Sequence, residues 1–415
     1  MNKKITVLGI PLLFILPWIS YLLSLLNLKS RLSAFIYIFS AAFFGYAISF
    51  SDPSADSYRY ATAFINFDRP DNYWVIVQMY LDGFLRDIYR ISLFYFTSLI
   101  SNSPHTVYFF AGLIYGLITY LNLRIYINER GDKTDRYTLI LALLFITFFS
   151  LSNLNSFRYN TGAMLAFYSI YNLVIANKKF WIIGILIAPL IHYSLMVLIP
   201  IIIILKLIMP FTHDSVKIKP VLFYIFIITF TLSLFLDTNS FDVSFIGRSG
   251  VLPTAVSDRV DYINSDEVTD IVESRANNSL FVAVSIYFKY MISIYVLIAI
   301  IYIKKIIKNS SGNLKEINLL FSFVLLYYSF ANLASTMPSG GRYMQIGHIF
   351  LFILICRLYR VHKSKKIRKL IIMSLLPFSF QIVFIDIAIP ILILTPTFWY
   401  GGFVGVVLEN LGSIR

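Results

Sequence analysis

Charge is scarce in this chain of 415 residues: Asp, Glu, Lys and Arg together make 13% of it, against 58% hydrophobic residues. So little charge, with a mean hydropathy of +0.75, excludes a soluble globular domain and points to a polytopic membrane protein. Cysteine is nearly absent, and the single Cys356 excludes a disulfide framework and a cysteine metal site. Short period-2 alternation between turns is missing, which argues against a membrane barrel. No phosphate-binding glycine loop, dinucleotide fingerprint, HExxH or GxSxG occurs. No fixed-period repeat is visible either, so residues 1–415 are read as one integral membrane domain.

What is present is a succession of long apolar runs, each close to the roughly 20 residues that a helix needs to cross about 30 Å of hydrocarbon. The first run is too long and too aromatic for a cleaved signal peptide and is taken as a retained helix. The 35 basic residues outnumber the 21 acidic ones, for a net charge of +14. They fall in five clusters: Arg124, Arg130, Lys133 and Arg136; Lys178 and Lys179; Lys206, Lys217 and Lys219; Lys304, Lys305, Lys308 and Lys315; and the tract from Arg357 through Lys363, Lys365, Lys366, Arg368 and Lys369. That distribution fits cytoplasmic loops rather than a nucleic-acid surface. If all five clusters share one side, the chain between neighbouring clusters crosses an even number of times.

Parity then divides FWIIGILIAPLIHYSLMVLIPIIIIL, residues 180–205, into two short helices broken at Pro189 to His192, because proline removes a donor and clashes with the preceding turn. About 12 transmembrane helices are expected, near residues 5–27, 32–50, 104–127, 138–152, 157–176, 180–191, 193–209, 220–237, 280–303, 317–334, 344–361 and 370–388. The last stretch, from Thr395, reads as a re-entrant piece or a weak final span. Two long loops fall outside. Residues 51–103 hold amphipathic helices around Asp82, Arg86, Asp87 and Arg90, and residues 238–279 are polar with three arginines, Arg248, Arg259 and Arg275.

Arginines on the outer side are exceptions to the positive-inside bias. Arg158 in NSFRYNTGAMLAFYSIY and Arg342 in SGGRYM stand at two outer helix mouths, followed by Tyr159 and Tyr343. A charge beside hydrocarbon costs several kcal/mol unless paired or facing water, and a planar guanidinium suits a phosphate better than an ammonium does. Both arginines are candidates for an anion site, with structural anchoring at the interface as the alternative. In SFSDPSADSYRYATAF, residues 49–64, Asp56 lies among Tyr58, Arg59 and Tyr60. It is a candidate general base, with an internal Asp56–Arg59 ion pair as the alternative, while Asp52 before Pro53 reads as a turn residue. His192 is a second candidate base or a helix-end histidine bonded to a carbonyl. The spacing of Asp52 and Asp56 is D-x-x-x-D, not D-x-D, so no metal is expected, and no cofactor.

These elements, ADSYRY after the second helix, the arginine-led helix NSFRYNTGAMLAFYSIY, the hairpin holding IHYSL and the late GRYM, resemble the EpsG-like and Wzy-type polysaccharide polymerases over most of the chain. The lead into the first loop, FSDPSAD, has less glycine than that family usually carries. The resemblance implies a GT-C-like bacterial inner-membrane glycosyltransferase. Its implied reaction, on the periplasmic face, transfers a growing glycan from undecaprenyl diphosphate onto a new lipid-linked repeat unit of O-antigen or a related surface polysaccharide. Donor and acceptor glycans and the bilayer are then its partners, with a chain-length regulator as a further candidate. Arg158 and Arg342 would stabilise the leaving diphosphate, with Arg248, Arg259 or Arg275 closing from the second loop. Tyr58, Tyr60, Trp74, Tyr159 and Tyr343 would meet sugar rings or line the site, and Arg59 would border it. An O-antigen ligase uses the same donor and chemistry. A lipid-linked oligosaccharide flippase and a membrane O-acyltransferase are more distant alternatives.

Overall fold

The computed structural model describes residues 2–53, 55–130, 135–214, 218–236, 280–309, 314–336 and 340–412. Among them every regular element is helical, and the only β pairing is the isolated bridge between Ile48 and Leu394. The second loop, 238–279, with Arg248, Arg259 and Arg275, lies outside the described residues.

In chain order the helices are α1 (Asn2–Ile15), α2 (Pro17–Leu25), α3 (Arg31–Tyr46), α4 (Asp56–Ile65), α5 (Tyr73–Leu81), α6 (Tyr89–Ser98), α7 (Pro104–Arg130), α8 (Arg136–Phe148), α9 (Phe157–Ile170), α10 (Ile182–Ile191), α11 (Leu198–Asp214) and α12 (Ile218–Phe235). Then follow α13 (Leu280–Lys308), α14 (Lys315–Ala334), α15 (Gly341–Val361), α16 (Lys365–Met373), α17 (Leu375–Phe380), α18 (Ile389–Ile393), α19 (Thr397–Tyr400) and α20 (Gly402–Gly412).

Five of these segments are long and apolar enough to cross a membrane, or six if the bent pair Lys365–Ser379 and Gln381–Ile393 counts as one span. The expectation of about twelve is not met on that measure, because Arg31–Tyr46, Lys179–Ile191, Tyr193–Ile208 and Pro220–Phe235 are apolar but short. One of the five, Arg136–Ile175, is 40 residues long, about 60 Å if straight and twice the hydrocarbon thickness. Its contacts with α7 show that it turns back. The Tyr126 hydroxyl donates to the Thr138 carbonyl (3.2 Å), the Tyr115 hydroxyl to that of Ser150 (2.9 Å), and the Asn122 amide to that of Met164 (3.0 Å). The chain therefore ascends α7 from residue 126 to 115 and descends again to 122, reversing through the 3₁₀ turn Leu151–Ser156.

The first apolar run, expected as one helix over 5–27, is also broken. Pro17 occupies the first turn of α2, where its missing N–H costs nothing but where it cannot continue α1. The break lets the Ser20 hydroxyl reach back to the Gly9 carbonyl at 2.6 Å. At Pro189 to His192 the expected interruption is present: α10 ends at Ile191, His192 adopts extended backbone, and a 3₁₀ turn over Tyr193–Val197 leads into α11. The C-terminal piece folds onto α1 and α3, where Phe403 stacks on Phe43 at 3.8 Å between centroids. Gly402 there takes a positive φ of 60° against the Ile15 backbone.

Helices α3 and α7 pack backbone to backbone. A Cβ at Gly112 would meet the Ala41 carbonyl oxygen at 2.4 Å, and Gly116, one turn on, meets the Ala41 methyl. Two small residues four apart let helix backbones approach and gain dispersion where no hydrophobic effect separates helix from lipid.

Helix ends sort into two groups. At one end, Arg357 on α15 donates to Glu316 of α14 and to the Tyr171 hydroxyl (2.8 Å each), and Arg360 donates to the Asn128 carbonyl (3.1 Å). Here the clusters around Arg136, Lys178, Lys315 and Arg357 meet. At the other end lie the 47–103 segment, the turn at 151–156, His192 and Arg342. Basic clusters and the two mouth arginines thus occupy opposite ends of the bundle, as the positive-inside reading requires.

Candidate functional site

The segment 51–103 is tied to the mouth of α9 by polar bonds. Asn155 accepts from the Ser57 amide at 3.2 Å, and Ser156 donates to the Asp56 carboxylate. Asp56 also pairs with Arg59 one helical turn on. Both oxygens of Asp56 are therefore engaged, and the internal ion pair weighed against a catalytic role is the arrangement present. Tyr58 is half-buried on the same helix and Arg59 exposed. Trp74 points out from α5, 66% exposed, beside exposed Val75, Met79 and Leu81, as an interfacial helix would present itself.

Arg158 is braced. Its Nη1 donates to Asp87 at 2.8 Å, its Nε to the Tyr60 hydroxyl at 3.0 Å, and its guanidinium lies 5.0 Å from the centre of the Tyr60 ring. Arg90 approaches the same ring at 5.7 Å. The Asp87 side chain is 2% exposed and that of Arg158 is 20%. Burial pushes the Asp87 carboxyl above the ordinary carboxylate range, against the pull of Arg158 and Arg90. The sequence placed Asp87 in an amphipathic loop; its partnership with a residue 71 positions later carries no local signal.

Arg342 is situated differently. It opens α15, is exposed, and its guanidinium lies 5.5 Å from the centre of the Tyr159 ring. Its backbone carbonyl accepts from the Tyr159 hydroxyl at 2.6 Å, and among the described residues no carboxylate pairs with it. Tyr343 donates to the Ser194 carbonyl (2.9 Å), and the Ser194 hydroxyl is 2.8 Å from Nδ1 of His192. The His192 ring meets Tyr159 edge-on at 5.4 Å. His192 thus stands behind Tyr159, 7% exposed.

Arg342 and Tyr159 belong to the wall of a cavity of about 420 Å³, together with Asn153, Ser156, Asn160, Gly341, Gln345, His348 and Gln381, and an apolar border of Phe148, Ile292, Met344 and Phe378. Four carboxamides, an imidazole, two hydroxyls and one guanidinium, without a carboxylate, make a wall that can hydrogen-bond neutral hydroxyl groups while holding one centre of negative charge. Among the described residues no three His, Cys, Asp or Glu side chains gather closely enough to hold a metal ion. Of the residues singled out from the sequence, the structure brings Tyr159 and Arg342 into this wall, sets Asp56 against its Ser156 and His192 against its Tyr159, pairs Arg158 with Tyr60 and Asp87, bonds Tyr343 to Ser194, and leaves Trp74 apart. The carboxamides and His348 escape a reading by motif, because only the crossing of α9, α15 and the 381–388 segment brings them together.

An all-helical bundle with its basic clusters at one end and a cation-bearing, carboxamide-lined cavity at the other defines a polytopic membrane protein with a polar cavity near one end. Within that class the chain belongs to the EpsG family, whose model matches residues 30–390, most of its length. Comparisons with the curated proteins and with the solved structures find no match.

Proposed function

We propose that the protein is the polymerase that joins undecaprenyl-diphosphate-linked repeat units into O-antigen or a related surface polysaccharide. In this reading the cavity faces the periplasm and the basic clusters face the cytoplasm, in the bacterial inner membrane. The family points to a polysaccharide-polymerase-like glycosyltransferase. The observation that carries the finer reading is Arg342, an exposed guanidinium without a carboxylate partner among the described residues, set in a carboxamide-lined cavity at the end away from the basic clusters.

The chemistry follows from that wall. As the bond from the anomeric carbon to the diphosphate breaks, negative charge grows on the leaving oxygen, and a guanidinium already in place stabilises it without reorganisation. Carboxamides of Asn153, Asn160, Gln345 and Gln381 can read hydroxyl groups, and the Tyr159 face can support a sugar ring. Arg158 holds the first loop against α9 through Asp87 and Tyr60, so its contribution is to fix the wall. The exposed apolar side chains of α5 offer a path at the membrane surface for the polyprenyl tails.

The test is a surface-polysaccharide gel of the host lacking this gene, complemented by wild type or by Arg342→Ala at matched expression. A core bearing a single repeat in the deletion, with a ladder restored by wild type but not by Arg342→Ala, supports the polymerase. A core with no repeat would transfer the assignment to a ligase or flippase. An intact ladder lacking only a modification would transfer it to an acyltransferase.

A further inference from the structure

His348 is the ionisable side chain deepest along α15 in the cavity wall, six residues from Arg342 and three from Gln345. Six residues of helix rise about 9 Å, so the two side chains leave α15 about one sugar unit apart along its axis. Nδ1 of His348 is 2.8 Å from the hydroxyl of Tyr328, a fully buried residue of α14 that takes no part in the wall. That bond occupies Nδ1, which leaves Nε2 as the nitrogen able to serve the cavity. Phe148, Phe378 and Tyr328 hold the ring, with centroids at 6.2, 5.6 and 5.9 Å.

We infer that His348 is the general base for the acceptor hydroxyl, with Tyr328 as the residue that fixes its tautomer. The inference rests on the polymerase reading of the same cavity. In the tautomer this role requires, Nδ1–H donates to the Tyr328 oxygen and the lone pair of Nε2 serves the cavity. The acceptor O–H proton passes to Nε2 as the acceptor oxygen forms its bond to the donor's anomeric carbon. The bond from that carbon to the diphosphate oxygen breaks, its electron pair staying on the oxygen beside Arg342. The imidazolium then returns its proton to water through the mouth of the cavity. Neither base candidate from the sequence lines this cavity: Asp56 bonds Ser156 and Arg59, and His192 lies against the Tyr159 ring.

The experiment uses the full chain in nanodiscs with undecaprenyl-diphosphate-linked repeat units, reading chain growth on a gel and donor binding separately. Wild type should polymerise; if it does not, the polymerase reading fails before His348 is in question. Given polymerisation by wild type, His348→Gln should lower turnover about 100-fold or more while binding the donor within about threefold. Turnover within threefold of wild type would overturn the inference and leave the polymerase standing. Tyr328→Phe, which deletes one oxygen, decides the matter if His348→Gln does not fold. It should lower kcat about tenfold with KM unchanged and displace the acid limb of the pH–rate profile. An unmoved profile would refute the assignment.

Discussion

Removal of the Asp87 carboxylate is the perturbation whose cost is best defined by the structure. Asp87→Ala leaves Arg158 held among Tyr60, Phe157 and the start of α9 with its charge uncompensated, and breaking a buried pair from one side costs about 3–5 kcal/mol. Arg158 retains some access to solvent, with its side chain 20% exposed, and keeps its bond to the Tyr60 hydroxyl, so the lower end, about 3 kcal/mol, is expected. That is roughly a 100-fold shift in the unfolding equilibrium. Because burial of Asp87 outweighs the attraction of its partners, an apolar pair of similar volume should do nearly as well. Asp87→Leu with Arg158→Met is therefore expected to recover most of the loss. Unfolding by denaturing detergent in mixed micelles, read by tryptophan fluorescence, compares wild type, Asp87→Ala, Asp87→Leu, Arg158→Met and the double variant. An Asp87→Ala variant within about 0.5 kcal/mol of wild type, or a double variant no better than the single ones, would refute the account of Arg158 as a brace.

The same carboxyl predicts a pH dependence. Its folded pKa lies above its unfolded one, so its contribution is fully present below the unfolded value and is lost as pH rises through the folded value. Asp87→Asn should abolish this term, so that wild type loses stability relative to the variant as pH rises from acid toward neutral; a difference constant with pH would contradict it. At the cavity, Arg342→Ala should lower polymerisation about 100- to 1,000-fold. Arg342→Lys should fall between, since it keeps the charge but loses the planar fork; equal activity of Lys and Arg would argue against bidentate binding. In the scaffold, Gly112→Leu places side-chain atoms where the Ala41 carbonyl lies 2.4 Å from the Cβ position. It should force α3 from α7 and yield protein that no longer elutes as a single species, whereas Leu139→Ala at an exposed site on α8 should not.

What could be read from the sequence was what depends on short stretches. Pro189 followed by a histidine and a tyrosine announces a break within a few residues, and the break is there. The sorting of lysines and arginines is likewise a property of the linear chain, and Arg158 and Arg342 lie at the end of the bundle away from the Arg357 cluster. Pro17 was the same kind of signal but lay inside a run whose hydropathy outvoted it, so α1 and α2 were merged. The membrane count exceeded what length supports because hydropathy does not distinguish a 16-residue helix such as α3 from one long enough to span. Pairings were out of reach. Nothing near Arg158 specifies Asp87, and nothing near Gln381 says that its side chain meets Arg342 and His348 in one wall. These follow from the rotation of each helix about its own axis, which 58% hydrophobic residues leave almost unmarked, since an apolar face toward lipid looks like an apolar face toward protein.

The six residues Leu151–Ser156 reverse the chain between α8 and α9, and the same six supply Asn153 and Ser156 to the cavity. In the polymerase reading, topology and substrate range are therefore written in one short word. A graft meant to change which glycan is accepted can exchange letters within it but cannot add or delete one, because each added residue would rotate α9 by about 100° and carry Arg158, Tyr159 and Asn160 away from their partners. Divergence of such a protein toward new polysaccharides is thus expected by substitution in this turn, with length variation confined to loops that leave the course of α9 untouched.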